Sequence, residues 1–214
     1  MKAYVITIKG HPESEAAADR CIETARIAGT NVAKFYGFSL IDNPLDVARE
    51  YHVPLGLFQE RYSRLENCVA AFLSHRQLWE KSIELYEEIL ILEHDAIFMD
   101  SLPRVTHYSG VLSFGQPSYG KWVMPTTIGI NKLMSKQYLP GAHAYMVKPA
   151  AAKELIKQAS SFACPTDLYL SNKHFDFIEE YYPWPIKADD SFTTIQNVNG
   201  CTAKHNYNEE YKII

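Results

Sequence analysis

"ILILEHDAIFMD" occupies residues 89–100. Four aliphatic residues run straight into Glu93-His94-Asp95, and apolar residues resume at Ala96. The aliphatic run reads as a buried strand. Three ionisable side chains at its end need a hydrogen-bonding network, a metal or an exit from the core, because burying an unpaired charge is costly. In an open α/β sheet ligands bind beyond the carboxyl ends of the strands, which is where Glu93 and Asp95 fall. Two hard oxygen donors suit Mg²⁺ or Mn²⁺, above all when substrate phosphates complete the coordination. Taken alone, the trio fits equally well a strand end whose acids cap a helix or pair with an arginine.

The flanking sequence sets this strand in an alternating pattern. "AYVITI" (residues 3–8) is rich in strand formers and stops at Lys9-Gly10-His11-Pro12. "ESEAAADRCIETARIA" (13–28) reads as a helix closed by Gly29, and "NVAKFYGF" as a second strand. A βαβ opening belongs to an α/β domain with a parallel sheet. Pro44 and Pro54 break residues 39–65 into short helices and loop. A long helix is expected over 66–86, with Cys68, Phe72, His75, Trp79 and Ile83 on its core face. Ser74 and His75 do not make a nucleophile–base pair, since helical neighbours point about 100° apart. His75, between Phe72 and Trp79, reads as a buried residue tying the helix to the sheet. Downstream, "GVLSFG" and "AHAYMVK" read as strands, "PAAAKELIKQAS" as a helix with Pro149 near its first position, and "TDLYLSNK" as the start of another. Residues 116–140 read as a long irregular loop, and the tail from Pro183 as strand-like pieces.

Composition narrows the function classes. With 214 residues, 47% apolar and 21% charged, the chain suits one domain with a full-sized core. A net charge of −4 without a Lys/Arg stripe weighs against a nucleic-acid surface, while leaving room for a small anionic ligand. Cys21, Cys68, Cys164 and Cys201 are scattered, with no C-x-x-C pair and no N-x-[ST] sequon in the chain. The opening apolar stretch is too short for a signal-peptide core, and no stretch reaches the length of a membrane span. A reducing, cytoplasmic setting is the expectation.

"LILEHDAIF" resembles the "LILEDDA" segment of the family-25 glycosyltransferases, the lipo-oligosaccharide and procollagen galactosyltransferase group. "NCVAAFLSHRQLWEKSIE" is similar to that family's Gly-Cys-x-x-Ser-His-x-x-x-Trp helix, with Cys68, Ser74, His75 and Trp79 in order and extra residues between Cys68 and Ser74. "PGAHAYMVKPAAAKELI" resembles its Gly-x-x-x-Tyr segment, "PTDLYL" its Pro-x-Asp block and "DSFTTIQN" its terminal Ser-x-Ile stretch. The shared order covers about residues 6–205. One departure falls inside the signature: His94 stands where the family has aspartate.

The resemblance implies a GT-A fold, α/β with a mixed central sheet, in one domain over residues 1–214. Its first hundred or so residues would bind the nucleotide and the remainder the acceptor. It implies transfer of a hexose, galactose or glucose, from a UDP-sugar to a hydroxyl of a glycan or lipid-linked oligosaccharide, with inversion, as in lipopolysaccharide biosynthesis. Peripheral membrane contact is compatible with that. Mn²⁺ or Mg²⁺ would stabilise charge on the departing diphosphate. On this reading Asp95 and His205 are metal ligands, and Glu93 reaches the donor ribose or a metal-bound water. Ile6, Thr7 and His94 adjoin the donor, and Arg20 helps hold the diphosphate. Gly141 and Ala142 let backbone approach a sugar, and His143 reaches donor or acceptor. Asp167, at a helix start, is the base that takes the acceptor's proton. Tyr119, Trp122 and Trp184 offer rings on which an acceptor sugar stacks. Plainer readings stand beside these: a surface arginine, a tail histidine, a helix-start acid, and packed aromatics. A sugar- or nucleotide-binding protein without turnover is the alternative class, with His94 as its hint. A nucleotidyltransferase would bring a Gly-rich or Lys-rich phosphate loop, which the sequence lacks.

Overall fold

The computed structural model describes residues 1–58, 64–189, 191–196 and 212–214. β1 (Lys2–Thr7), α1 (Pro12–Ile27) and β2 (Ala33–Tyr36) form the expected βαβ opening, with the two strands parallel. α1 begins where Pro12 presets the first turn, Glu13 and Glu15 face the helix dipole, and His11 Nδ1 accepts from the Ser14 N–H. It ends at Gly29, whose φ of +80° suits a residue without Cβ. Two 3₁₀ turns (Leu40–Asp42 and Gly56–Phe58) and α2 (Pro44–Glu50) follow, then α3 (Leu65–Leu85). β3 (Ile89–Glu93) and β4 (Ala96–Phe98) are separated by the two-residue turn His94-Asp95. The remaining elements are β5 (Val111–Ser113), β6 (Gly129–Lys132), β7 (Ala144–Val147), α4 (Pro149–Ala159), α5 (Thr166–Tyr169), β8 (Ile178–Tyr182), β9 (Ile186–Ala188), β10 (Phe192–Thr193) and β11 (Lys212–Ile213).

Seven strands make one mixed sheet in the order β2-β1-β3-β7-β5-β8-β6. β2, β1 and β3 are parallel; β7 runs against both its neighbours, and β6 against β8. Alternation along β3 sorts the core. Ile89 and Ile91 join α3 and α4 on one face, while Leu90 and Leu92 join Ala18, Cys21 and Ala25 of α1 on the other. Thus α1 leads from β1 to β2 across one face, and α3 leads into β3 across the opposite face. The loops leaving β1 and β3 part at their carboxyl ends, and a crevice opens between them.

β6 and α5 are among the elements that depart from the pattern read in the sequence. β6, "GINK", lies inside the expected irregular loop and carries little strand propensity. It is held by pairing with β8 and by the buried Glu180 carboxylate, which accepts from the Met134 and Ser135 N–H groups at 2.7 Å each. α5 stops after one turn because the following chain pairs elsewhere: Leu139 N–H donates to Leu170 O and Asn172 N–H to Gln137 O. Cys21, Cys68 and Cys164 are buried, and no described helix is long and apolar enough to cross a membrane.

Candidate functional site

A cavity of about 430 Å³ lies at the carboxyl ends of β1, β2 and β3. Its walls come from five places in the chain. The loop from β1 into α1 gives Ile6, Ile8, Lys9, Gly10 and His11, and the segment after β2 gives residues 38–41. Arg64 and the first half of α3 contribute Asn67, Ala70, Ala71, Ser74 and His75; the turn after β3 contributes Glu93, His94 and Asp95. Residues 192–195 and Ile214 close the last side. Gly10 makes the exit from β1 with a φ of +74°. Gly37 lets β2 pass close to α3: a Cβ there would meet Ser74 Cβ at 2.8 Å.

Glu93 and His94 leave the β3 turn toward different helices. Glu93 Oε1 lies 3.0 Å from His75 Nε2, His75 Nδ1 lies 2.8 Å from the Tyr145 hydroxyl, and that hydroxyl lies 2.9 Å from Trp79 Nε1. Burial holds the His75 pKa down at about 3, with the more distant Asp167 charge pulling the other way, so the contact with Glu93 is a hydrogen bond of a neutral imidazole. The expected tie between α3 and the sheet is therefore His75. Ser74 takes no part in it, since its hydroxyl donates to Ala70 O and accepts from Phe38 N–H. His94 Nδ1 meets Ser14 Oγ at 2.9 Å, and its ring stacks on Phe192 with centroids 5.1 Å apart. Burial, aided by the nearby His11 and Arg20 charges, lowers its pKa to about 4. Ser14 Oγ also meets Thr7 Oγ1 and accepts from Ile8 N–H, both at 3.0 Å.

Of the residues expected at a donor site, Ile6, Glu93, His94 and Asp95 line this cavity. Thr7 is buried behind it and spends its hydroxyl on Ser14. Arg20 lies beside the turn, paired with Asp189 at 2.6 Å, while the Asp189 N–H donates to Asp95 O at 2.8 Å. Burial, and next the Asp95 charge, pushes the neighbouring Cys21 thiol up to about 12. Gly141, Ala142 and His143 form the turn behind Glu93, whose N–H donates to His143 O at 3.0 Å. Gly141 and Ala142 have φ values of +93° and +48°. His143 is only 2% exposed, its ring wedged between Gly115 and Gly141, and burial lowers its pKa to about 4. His205 falls outside the described residues.

None of the expected base and acceptor residues lines the cavity. Asp167 accepts from the Tyr119 hydroxyl. Burial raises its pKa, with the Tyr119 hydrogen bond and backbone N–H groups pulling it back. Lys136 Nζ donates to Tyr119 O at 2.9 Å and to the Tyr138 hydroxyl at 3.1 Å. Trp184 is 8% exposed and is packed edge-on by Trp122 and Tyr182. So buried, it is not an open platform for a sugar; Trp122 is half-buried against it.

Lys9, His11, Phe38, Arg64 and Asn67 were not legible as site residues. The "KGHP" run signalled only a strand stop, and Arg64 sat in a stretch with no periodicity. Among the described residues, no three His, Cys, Asp or Glu side chains converge on one point. Asp95 is nonetheless a hard oxygen donor on the cavity wall. A divalent ion held by one or two carboxylates, with waters and substrate phosphates for the rest, needs no protein cage. The donor set fits a cation that arrives with a phosphorylated ligand.

No family model matches the sequence, and no curated protein matches it. Among solved structures, a CTP:phosphocholine cytidylyltransferase from Streptococcus pneumoniae is similar over 88% of this chain and 92% of its own, at 15% identity and a TM-score of 0.40. That likeness is too loose to assign an activity.

Proposed function

We propose that this protein is a GT-A-type glycosyltransferase of the family-25 kind, taking a UDP-sugar donor into the cavity at the ends of β1, β2 and β3. One observation carries the reading: the Glu93-His94-Asp95 turn ends a buried parallel strand and opens into a cavity there. Its size, about 430 Å³, falls among small-ligand sites of roughly 300–1,000 Å³. Ile6, Ile8, Phe38 and Leu40 supply an apolar side for a base, Glu93 an acceptor for a hydroxyl, and Lys9 and Arg64 positive charge for phosphates. Asp95 is the residue that would hold Mn²⁺ or Mg²⁺, which when bound supplies Lewis-acid stabilisation to a departing diphosphate. Asp167, with its raised pKa, is the proposed base for the acceptor hydroxyl, and it needs the Tyr119 side chain to swing aside. The acceptor is a glycan or lipid-linked oligosaccharide hydroxyl.

The enclosure of Asp167 by Tyr119 favours a second reading, a nucleotide-sugar-binding protein without turnover. A nucleotide-sugar panel screened by thermal shift with Mn²⁺, followed by UDP release and product NMR, separates the two. Stabilisation by a UDP-hexose together with metal-dependent UDP release is the expected result. Stabilisation without release selects the binding protein. No response to any nucleotide sugar removes both.

A further inference from the structure

Resting on that reading of the cavity, we propose that His75 is a positioning residue, which holds Glu93 as a fixed hydrogen-bond acceptor through a one-way relay starting at Trp79. The direction follows from what each group can do. An indole N–H only donates, so Trp79 Nε1 donates a hydrogen bond to the Tyr145 oxygen 2.9 Å away. That hydroxyl then has its own proton to give, and His75 Nδ1 is 2.8 Å from it. A neutral imidazole that accepts at Nδ1 carries its proton on Nε2, which faces Glu93 Oε1 at 3.0 Å. Every link pairs a donor with an acceptor when Glu93 is ionised. Reversing the chain in a neutral imidazole would take Nδ1 away as the acceptor for the buried phenol O–H and demand a protonated carboxyl at Glu93.

The relay is rigid as well as directional. The His75 and Tyr145 rings stack at 5.7 Å with 16° between planes, and Trp79, His75 and Tyr145 are all wholly buried, so no water replaces a lost link. Glu93 stands at its cavity end. A carboxylate has about four lone-pair sites, so the bond from His75 orients Glu93 while using one of them. The ligand group it selects is a donor, a hydroxyl of a ribose or of a sugar ring. A phosphate oxygen would be repelled there.

Nitrogen-15 NMR of the full chain reads the tautomer directly, and the Nε2–H form is expected. A wild-type Nδ1–H form or an imidazolium overturns the relay, whether or not the protein binds any nucleotide sugar. Binding is then measured for UDP and for UDP-hexose in three variants. His75→Leu removes the donor and should weaken binding about tenfold, whereas His75→Gln, which can still present an N–H to Glu93, should keep it within about threefold of wild type. Tyr145→Phe cuts the relay one step back and should yield mixed His75 tautomers with a smaller loss of affinity; it also serves if His75→Leu does not fold. A loss seen already with UDP assigns the hydroxyl to ribose, and one confined to UDP-hexose assigns it to the sugar. Wild-type affinity in both His75→Leu and Tyr145→Phe overturns the proposal. Should wild type bind neither ligand, the glycosyltransferase reading fails, and the tautomer with the crystallographic position of Glu93 in Tyr145→Phe still decides the relay.

Discussion

At the turn after β3, neighbouring side chains are claimed by opposite faces of the sheet, Glu93 by α3 and His94 by the start of α1. An aspartate at position 94 could accept from Ser14 but could not stack on Phe192, so histidine there joins the turn to the C-terminal segment. Asp95, next in the turn, lines the cavity. Asp95→Asn should weaken Mn²⁺-dependent UDP-sugar stabilisation about tenfold or more in ligand concentration, read as the shift that metal adds over the same variant without metal. Equal metal-dependent shifts in thermal-shift titrations would remove Asp95 from that role. Three histidines also set an acid limit. His75, His94 and His143 have folded pKa values of about 3, 4 and 4, below the ordinary 6.5. As pH falls from 6.5, the unfolded chain takes up these protons first, so stability is full above 6.5 and is lost progressively toward about 4 for His94 and His143 and about 3 for His75. The two most buried, His75 and His143, should each cost roughly 2 kcal/mol between pH 7 and pH 4.5. Urea midpoints across that window test this, and a flat profile would contradict it.

Among the elements, α3 is the one most legible in the sequence. Cys68, Phe72, His75 and Trp79 repeat every three or four residues, and all four are buried. Phe72 and Trp79 meet Tyr169 with ring centroids 5.2 and 5.7 Å away. β6 is the opposite case, a strand whose hold lies in a partner. Glu180→Ala would orphan the Met134 and Ser135 N–H groups and should cost roughly 2–4 kcal/mol, with amide exchange rising along β6 before the rest of the sheet. Unchanged protection there would mean that β-pairing alone holds the edge. The β2–α3 approach is equally exacting. Gly37→Ala places a methyl against Ser74 and should destabilise by about 1–3 kcal/mol in denaturant melts, because both backbones are fixed by their own ladders.

On the scale of the whole molecule, the last residues return to the site made by the first. Arg64 Nη2 donates to Ile214 O at 2.6 Å and, more weakly, to Thr193 O at 3.4 Å, joining β10 and β11 to the mouth of the cavity. Arg64→Met should speed amide exchange at Lys212 and Ile214 by about tenfold with little change in global melting, since β10 is half-buried and β11 exposed. Exchange at wild-type rates would show that strand pairing suffices. β3 is buried on both faces, against α3 and α4 on one side and α1 on the other, so Glu93 ends, and Asp95 follows, a strand in the middle of the sheet.

Local pattern determined the βαβ opening, the long helix with its buried histidine, the β3 strand and the acids at its end. Each is written in residues no more than a few positions apart, where a period of two or about three and a half reports directly which side faces the core. Tertiary structure alone decided that Lys9, Phe38, Arg64 and Ile214 share a cavity with Glu93, that Trp184 is walled in, and that Glu180 anchors an edge strand. Those meetings depend on the order of strands in the sheet and on where chain segments cross, and no periodicity within one segment records a partner as much as 150 residues away.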